Sequence, residues 1–333
     1  MSAQFSTESK RAIRSVWAKL LLSFLHDTLN KKLVYLGLPG ENAYDIHEWI
    51  EYLDIVYAFE CGNYKSQLSV EEARKKLIAL EEIGLTLQRK KQLSDFQLYD
   101  GYIEEVIIRG FDNSASQKDF IQGDVITLYN LDFCNQVTSP IEYRDKEGNL
   151  EKAFKFDAIG KLLKLQQSMK PSSKKFIMFL TLHCSFKGKE FHNFQNFPPD
   201  GQFKKYLQVV ERLSKGKKAP YWIKAFVYYH LSGYFKMHQF TADFLPVIHY
   251  IGDNSEPLLC FTIIGTQGAT HAESSNQQIN NFLNGKFISV DSNGGFINNA
   301  SLVAHDEVDW EDVNPLQLFK SSKMYKENWK DTK

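Results

Sequence analysis

The chain has 333 residues, 43% of them hydrophobic, enough for one large domain or two small ones around a sizeable core. Forty basic residues balance forty acidic ones, which speaks against a protein that coats nucleic acid through net charge while leaving local basic patches open. The four cysteines, Cys61, Cys134, Cys184 and Cys260, form no Cys-x-x-Cys pair, which speaks against a zinc ribbon and fits a reducing cytoplasm.

In chain order, the first expected element is a helix over residues 8–30, with Ile13, Val16, Trp17, Leu20, Leu21, Phe24 and Leu25 at helical spacing. Its apolar run "LLLSFL" is too short to span a membrane, and no small-residue cleavage site follows. A strand at 32–38 leads through a glycine turn into a helix at 42–53. A second strand at 55–60 ends on Glu60, and a helix at 69–91 opens on a Ser69–Glu72 capping box. Residues 96–112 read as strand with a turn at Asp100-Gly101, and 123–133 as another strand ending in "NLDF". Residues 142–154 read as a loop or small hairpin, 156–169 as a helix, and the apolar run 174–184 as a strand inside a parallel sheet. A loop and helix at 197–215, a helix at 219–237 and two strands joined by a turn at 244–265 follow. The remainder, 266–333, is rich in Asn, Ser and Gly, with one short strand at 286–290.

Alternating strands and helices predict an α/β fold. The expected sheet is Rossmann-like, mostly parallel and about seven-stranded, with helices on both faces and an antiparallel terminal hairpin. The expected organisation is an N-terminal helical segment (1–30), a main domain (31–265) and a C-terminal extension running over its surface (266–333).

Three loops carry chemistry. "YLGLPGENAYD" places Gly37, Leu38 and Gly40 between a strand and a helix, as in a nucleotide cradle, but Pro39 sits inside the turn and no lysine follows. A plain strand-to-helix turn needs glycine as well. Glu60 closes the next strand, 23 residues after Gly37, where an acid accepts hydrogen bonds from ribose hydroxyls; a solvated strand-end acid is the ordinary alternative. "NLDF" brings Asn130, Asp132 and Phe133 to the end of the fourth strand, where turn capping by Asn and Asp is the competing role.

Element order and these three loops resemble the class I S-adenosylmethionine-dependent methyltransferases over residues 31–265. The resemblance implies S-adenosylmethionine as cofactor, with Gly37, Leu38 and Gly40 at its methionine part and Glu60 on its ribose. Asp100 or Asp112 would lie near the adenine, and Asn130, Asp132 and Phe133 would face the transferred methyl. Asn130 to Phe133 matches the spacing of the amino-methyltransferase motif without its two prolines, which puts adenine or cytosine amino methylation in doubt.

The histidines offer no carboxylate at metal-ligand spacing, so no metal is expected. His183 and Cys184 are adjacent in a strand and point to opposite faces, which excludes a Cys–His nucleophile pair. The lysine clusters at 89–91, 174–175 and 215–218 read as solvated helix ends and loops. The leading expectation is a cytoplasmic methyltransferase acting on a nitrogen or oxygen, possible on nucleic acid. The alternatives are an inactive nucleotide-binding scaffold, or an accessory subunit of a larger, defence-associated complex with a nucleic-acid or protein partner. An oligomer is compatible with either, and no membrane partner is expected.

Overall fold

A computed structural model describes residues 7–61, 70–133, 137–170, 174–184, 218–252, 256–267, 281–299, 312–322 and 325. The parallel strands are β1 (Leu33–Gly37), β2 (Leu53–Glu60), β3 (Asp95–Asp100), β4 (Leu128–Asp132) and β7 (Lys175–His183). From β1 the sheet grows through β2 to β3 on one side and through β4 to β7 on the other. β10 (Pro257–Gln267) runs antiparallel along β7, and its far edge carries β8 (Phe240–Phe244) and β9 (Ile248–Ile251). Pro246 lies between those two short strands, where a residue without an N–H cannot continue a ladder. This is the Rossmann-like, mostly parallel sheet that the sequence implied, and β9 with β10 forms the expected antiparallel hairpin. The required parallel pairing of the first two strands runs from Leu33 opposite Leu53 to Gly37 opposite Ala58.

The strands are apolar on both sides because both faces are covered. Val34, Leu36, Tyr129, Leu131, Met178 and Leu180 belong to one core. That core packs against α5 (Ile103–Arg109), α6 (Lys155–Ser168) and α7 (Lys218–Met237). Leu33, Tyr35, Leu128, Ile177 and Phe179 belong to the other, under α3 (Tyr44–Trp49), α4 (Val70–Arg89) and the N-terminal helix.

The N-terminal helix is α1 (Glu8–Ala12), a π-helical stretch (Ile13–Ala18) and α2 (Lys19–Leu29). Thr7 caps its start through an oxygen that accepts the Lys10 N–H at 3.2 Å, and Asn30 ends it in the left-handed region at φ 48°. Trp17, in the π stretch, is fully buried and donates its indole N–H to Thr262 Oγ1 on β10 at 2.9 Å. Trp17→Ala should therefore cost about 3–5 kcal/mol of stability, measured by urea denaturation, because it opens a cavity and strands a buried hydroxyl.

Several sequence expectations are corrected. Residues 96–112 are not one strand: β3 stops at Asp100, Gly101 turns the chain at φ 142°, and Ile103, Val106 and Ile107 bury one face of α5. The 142–154 stretch, by contrast, is the small hairpin that was one of its two expected forms, β5 (Ile141–Arg144) with β6 (Leu150–Ala153), separate from the main sheet. Among the described residues ten strands join the main sheet, where about seven were expected. β11 (Phe287–Val290) pairs parallel with β9, and β12 (Phe296–Asn299) pairs antiparallel with β11. A short helix, α8 (Pro315–Ser321), buries Phe319. Ser69 and the loop and helix expected at 197–215 lie outside the described residues.

Candidate functional site

Because β1, β2, β3 and β4 are parallel and in register, their carboxyl ends form one edge. Sequence order reverses there between β1 and β4, the switch point where open α/β sheets bind ligands. Gly37 ends β1, and a Cβ on it would collide with the Asn130 carbonyl, which accepts the Leu38 N–H at 3.0 Å. The glycine is thus demanded by the close approach of β1 and β4. Gly37→Ala should destabilise the fold by about 1–3 kcal/mol, seen as a lowered melting temperature. Gly40 has the left-handed φ of 67° with open space around it, and its carbonyl accepts the Ala43 N–H at 3.1 Å. The chain then enters α3 and delivers Asp45 to the edge.

Asp45 is the centre of a polar network that sequence reasoning missed. Arg14 Nε donates to Asp45 Oδ1, and Asn130 Nδ2 donates to Asp45 Oδ2 at 2.6 Å and to the Tyr35 hydroxyl at 3.3 Å. Burial pushes the Asp45 carboxyl up, and Arg14 opposes it; burial likewise pushes the Tyr35 phenol well above its usual range. Trp49 donates its indole N–H to the Arg14 carbonyl at 3.1 Å, which ties the π stretch to α3. Asp132, two residues along β4 from Asn130 and on the same face, is 36% exposed and pairs with Lys10 Nζ at 3.6 Å. The amide of Asn130 is spent on Asp45 and Tyr35, and among the described residues its Oδ1 has no donor.

Glu60 ends β2 and Asp100 ends β3, directly opposite each other in register. Glu60 is 9% exposed, and burial raises its carboxyl to about 7. Its Oε1 accepts the Cys61 N–H at 3.2 Å, Lys76 favours its charge, and Glu41 and Asp100 oppose it. Lys76 is itself paired with Glu41 at 3.3 Å. Glu60 is therefore a buried acid with few donors, at a ligand-binding edge.

Two expected site residues are placed elsewhere. Asp112 is 2% exposed, and its oxygens accept from the N–H groups of Asp100, Ser114 and Lys118 and from the Ser114 hydroxyl. It holds the turn after α5, with three of these four bonds on Oδ1. Phe133 is 3% exposed in the core on the other face, 5.5 Å from Lys155 Nζ, so its ring is not offered to a planar substrate. The edge does gather Gly37, Leu38, Asn130 and Asp132, with Glu60 and Asp100 on the next two strands. It also carries His183, at the end of β7 on the Asn130 face, whose Nδ1 lies 3.0 Å from Glu256 Oε2. The sequence signal for that pair was absent, since 73 residues separate the partners. Among the described residues no cluster of His, Cys, Asp and Glu suits a metal ion, and no helix is long and apolar enough to cross a membrane.

No protein-family model and no curated protein sequence matches the chain. Among solved structures it is similar to the small RNA methyltransferase HEN1, at 10% identity and TM-score 0.34 over 76% of this chain and 25% of that one. The chain thus spans about a quarter of HEN1's length. It is also similar to the magnesium protoporphyrin IX methyltransferase ChlM from Synechocystis PCC 6803 with bound SAH, at 8% identity and TM-score 0.34 over 78% and 86% of the two chains. An O-methyltransferase family protein from Burkholderia thailandensis aligns at 10% identity and TM-score 0.31 over 79% and 59%.

Proposed function

We propose that the chain is an S-adenosylmethionine-dependent methyltransferase whose cofactor lies across the carboxyl edge of β1, β2, β3 and β4. The observation that carries this reading is Glu60. A buried carboxylate at the end of β2, raised to about 7 and short of donors, suits a ligand that brings two vicinal hydroxyls. The adenosyl ribose supplies that pair. Asp100, opposite Glu60, is then placed for the adenine, and Gly37, Leu38 and Gly40 for the methionine part. A sulfonium cofactor carries no phosphate, which accounts for the missing lysine and the incomplete glycine set.

When bound, the cofactor supplies an activated methyl group. The chain's own residues position and accept: Asn130, fixed through its amide by Asp45 and Tyr35, offers Oδ1 to an N–H or O–H of the substrate. Asp132, held by Lys10, is the acid beside it for a proton or for the cofactor's ammonium. His183, oriented by Glu256, is a second proton acceptor at the same edge. The acceptor is a nitrogen or oxygen, and nucleic acid is one candidate class.

A second reading has its own support. Lys10 and Arg14 reach from the N-terminal helix onto Asp132 and Asp45 of this edge, as they would in a scaffold that binds an adenosyl ligand without transferring its methyl. Radiolabelled S-adenosylmethionine separates the readings. A methyltransferase leaves label on an acceptor from a cell extract, whereas a scaffold retains the ligand with no labelled product.

A further inference from the structure

A second cleft lies at the opposite edge of the sheet, where α6 and α7 end, β7 begins and β10 finishes. It has a volume of about 600 Å³, within the range of small-ligand sites, and among the described residues no carboxylate lines it. Lys164 and Lys170 line its wall, beside the hydroxyl of Ser168. Among the described residues neither lysine has an acidic partner.

Three glutamines and Met169 complete the lining, and two of the glutamines, Gln267 and Gln167, are each turned by a group behind them. Lys174, 2% exposed, donates to Gln267 Oε1 at 2.6 Å. That bond occupies the oxygen and leaves the Gln267 NH2 as the free end of a side chain that is itself 8% exposed. His238 Nδ1 lies 3.3 Å from Gln167 Oε1, which leaves the Gln167 NH2 free in the same way. The Ser168 hydroxyl is spent on the Leu165 carbonyl at 2.8 Å, so the donors that remain toward the cleft are two ammonium groups and the amide NH2 groups of Gln267 and Gln167, with the Gln239 amide beside them.

We propose that this cleft binds a phosphate group, carried either by a small nucleotide-like ligand or by a single nucleic-acid strand. A lining rich in donors, with two lysines and, among the described residues, no carboxylate, suits an anion with several acceptor oxygens. The ends of α6 and α7 work against it, since each helix carboxyl end carries roughly half a negative charge. Three lysines outweigh two such ends, and Lys174 also lies 3.4 Å from the Gln167 carbonyl, one of the exposed carbonyls of α6. The apparent alternative, lysines that serve only the helix ends, leaves Lys164 and Lys170 and both amides without a task.

The test uses the full chain and two probes at low salt: inorganic pyrophosphate, and a fluorescein-labelled oligouridylate of about 12 nucleotides. Calorimetry and fluorescence anisotropy should each detect binding. Lys164→Glu with Lys170→Glu should weaken both probes by about tenfold or more. Gln267→Leu, which keeps the surface charge, should weaken pyrophosphate severalfold; it also takes the acceptor of the buried Lys174 ammonium, so its melting temperature should fall by a few degrees while the chain stays folded at the assay temperature. If the oligonucleotide binds far more tightly than pyrophosphate and loses affinity steeply with salt, the phosphate comes from a strand; parity assigns a small ligand. Failure of the folded wild-type chain to bind either probe overturns the proposal, as does equal affinity in the double variant.

Discussion

Asn130→Ala should lower methyl transfer by about a hundredfold or more while changing the affinity for an adenosyl ligand by less than about threefold. The expectation follows from how the side chain is held. Its NH2 is committed to Asp45 and Tyr35, and its oxygen is the end left for a substrate. Removing it also takes one donor from Asp45 and leaves that buried carboxylate to Arg14 alone, so about 1–3 kcal/mol of stability should go with it. Tyr35→Phe controls for that second effect. It deletes one of the two acceptors of the Asn130 amide, keeps the ring in the core and leaves Oδ1 in place. Single-turnover assays beside thermal melts separate the two. A large drop in melting temperature with normal activity per folded molecule would make Asn130 a structural residue.

Glu60→Gln should have two opposite effects. In the unfolded chain this carboxyl loses its proton near 4.5, and in the fold it holds it to about 7. Between those values the folded state binds more protons, so stability is greatest below 4.5 and falls as pH rises through 7. The shift corresponds to about 3 kcal/mol, lost in full by pH 8. A neutral glutamine escapes that penalty and should raise the melting temperature at pH 8 by a few degrees. The same change removes a charged acceptor from the ribose and should weaken adenosyl binding by about tenfold or more. A variant that is both less stable and unchanged in affinity would remove Glu60 from the ligand site. A gain in stability with a loss of binding is the pattern expected where a fold tolerates a strained group for function.

The elements that sequence reasoning found are those with strong periodicity. The N-terminal helix, β1, β2, the long helix α4 and the apolar β7 all carry runs that only one secondary structure can bury. The miss at 96–112 arose because Phe96 to Ile108 is apolar enough for either state, and a single glycine decides where strand ends and helix begins. Glu60 and Asn130 could be placed at the carboxyl edge from sequence because Glu60 ends β2 and Asn130 lies two residues before the end of β4. Asp45, Arg14 and Lys10 could not, since their meeting depends on how a helix from residues 8–29 crosses the sheet. Asp112 and Phe133 show the reverse case. Both have the right sequence position, but one is consumed by backbone N–H groups and the other faces the opposite core. Lys174 reads as one of a solvated pair in sequence, yet it is 2% exposed, because the ends of β10 and α6 close over it.

The central claim is that the carboxyl edge holds an adenosyl ligand through a charged Glu60, and proton release on binding tests it most directly. Ribose hydroxyls donate to the ionised carboxylate and lower its pKa, so a complex formed near pH 6.5 must expel a proton. Calorimetry with S-adenosylhomocysteine in buffers of different ionisation enthalpy should show one site, a fractional proton released near pH 6.5, and affinity that rises between pH 6 and 8. Glu60→Gln should abolish both the release and the pH dependence. A folded chain that binds no S-adenosylhomocysteine across that range, or binds it with the same pH profile in Glu60→Gln, would contradict the account.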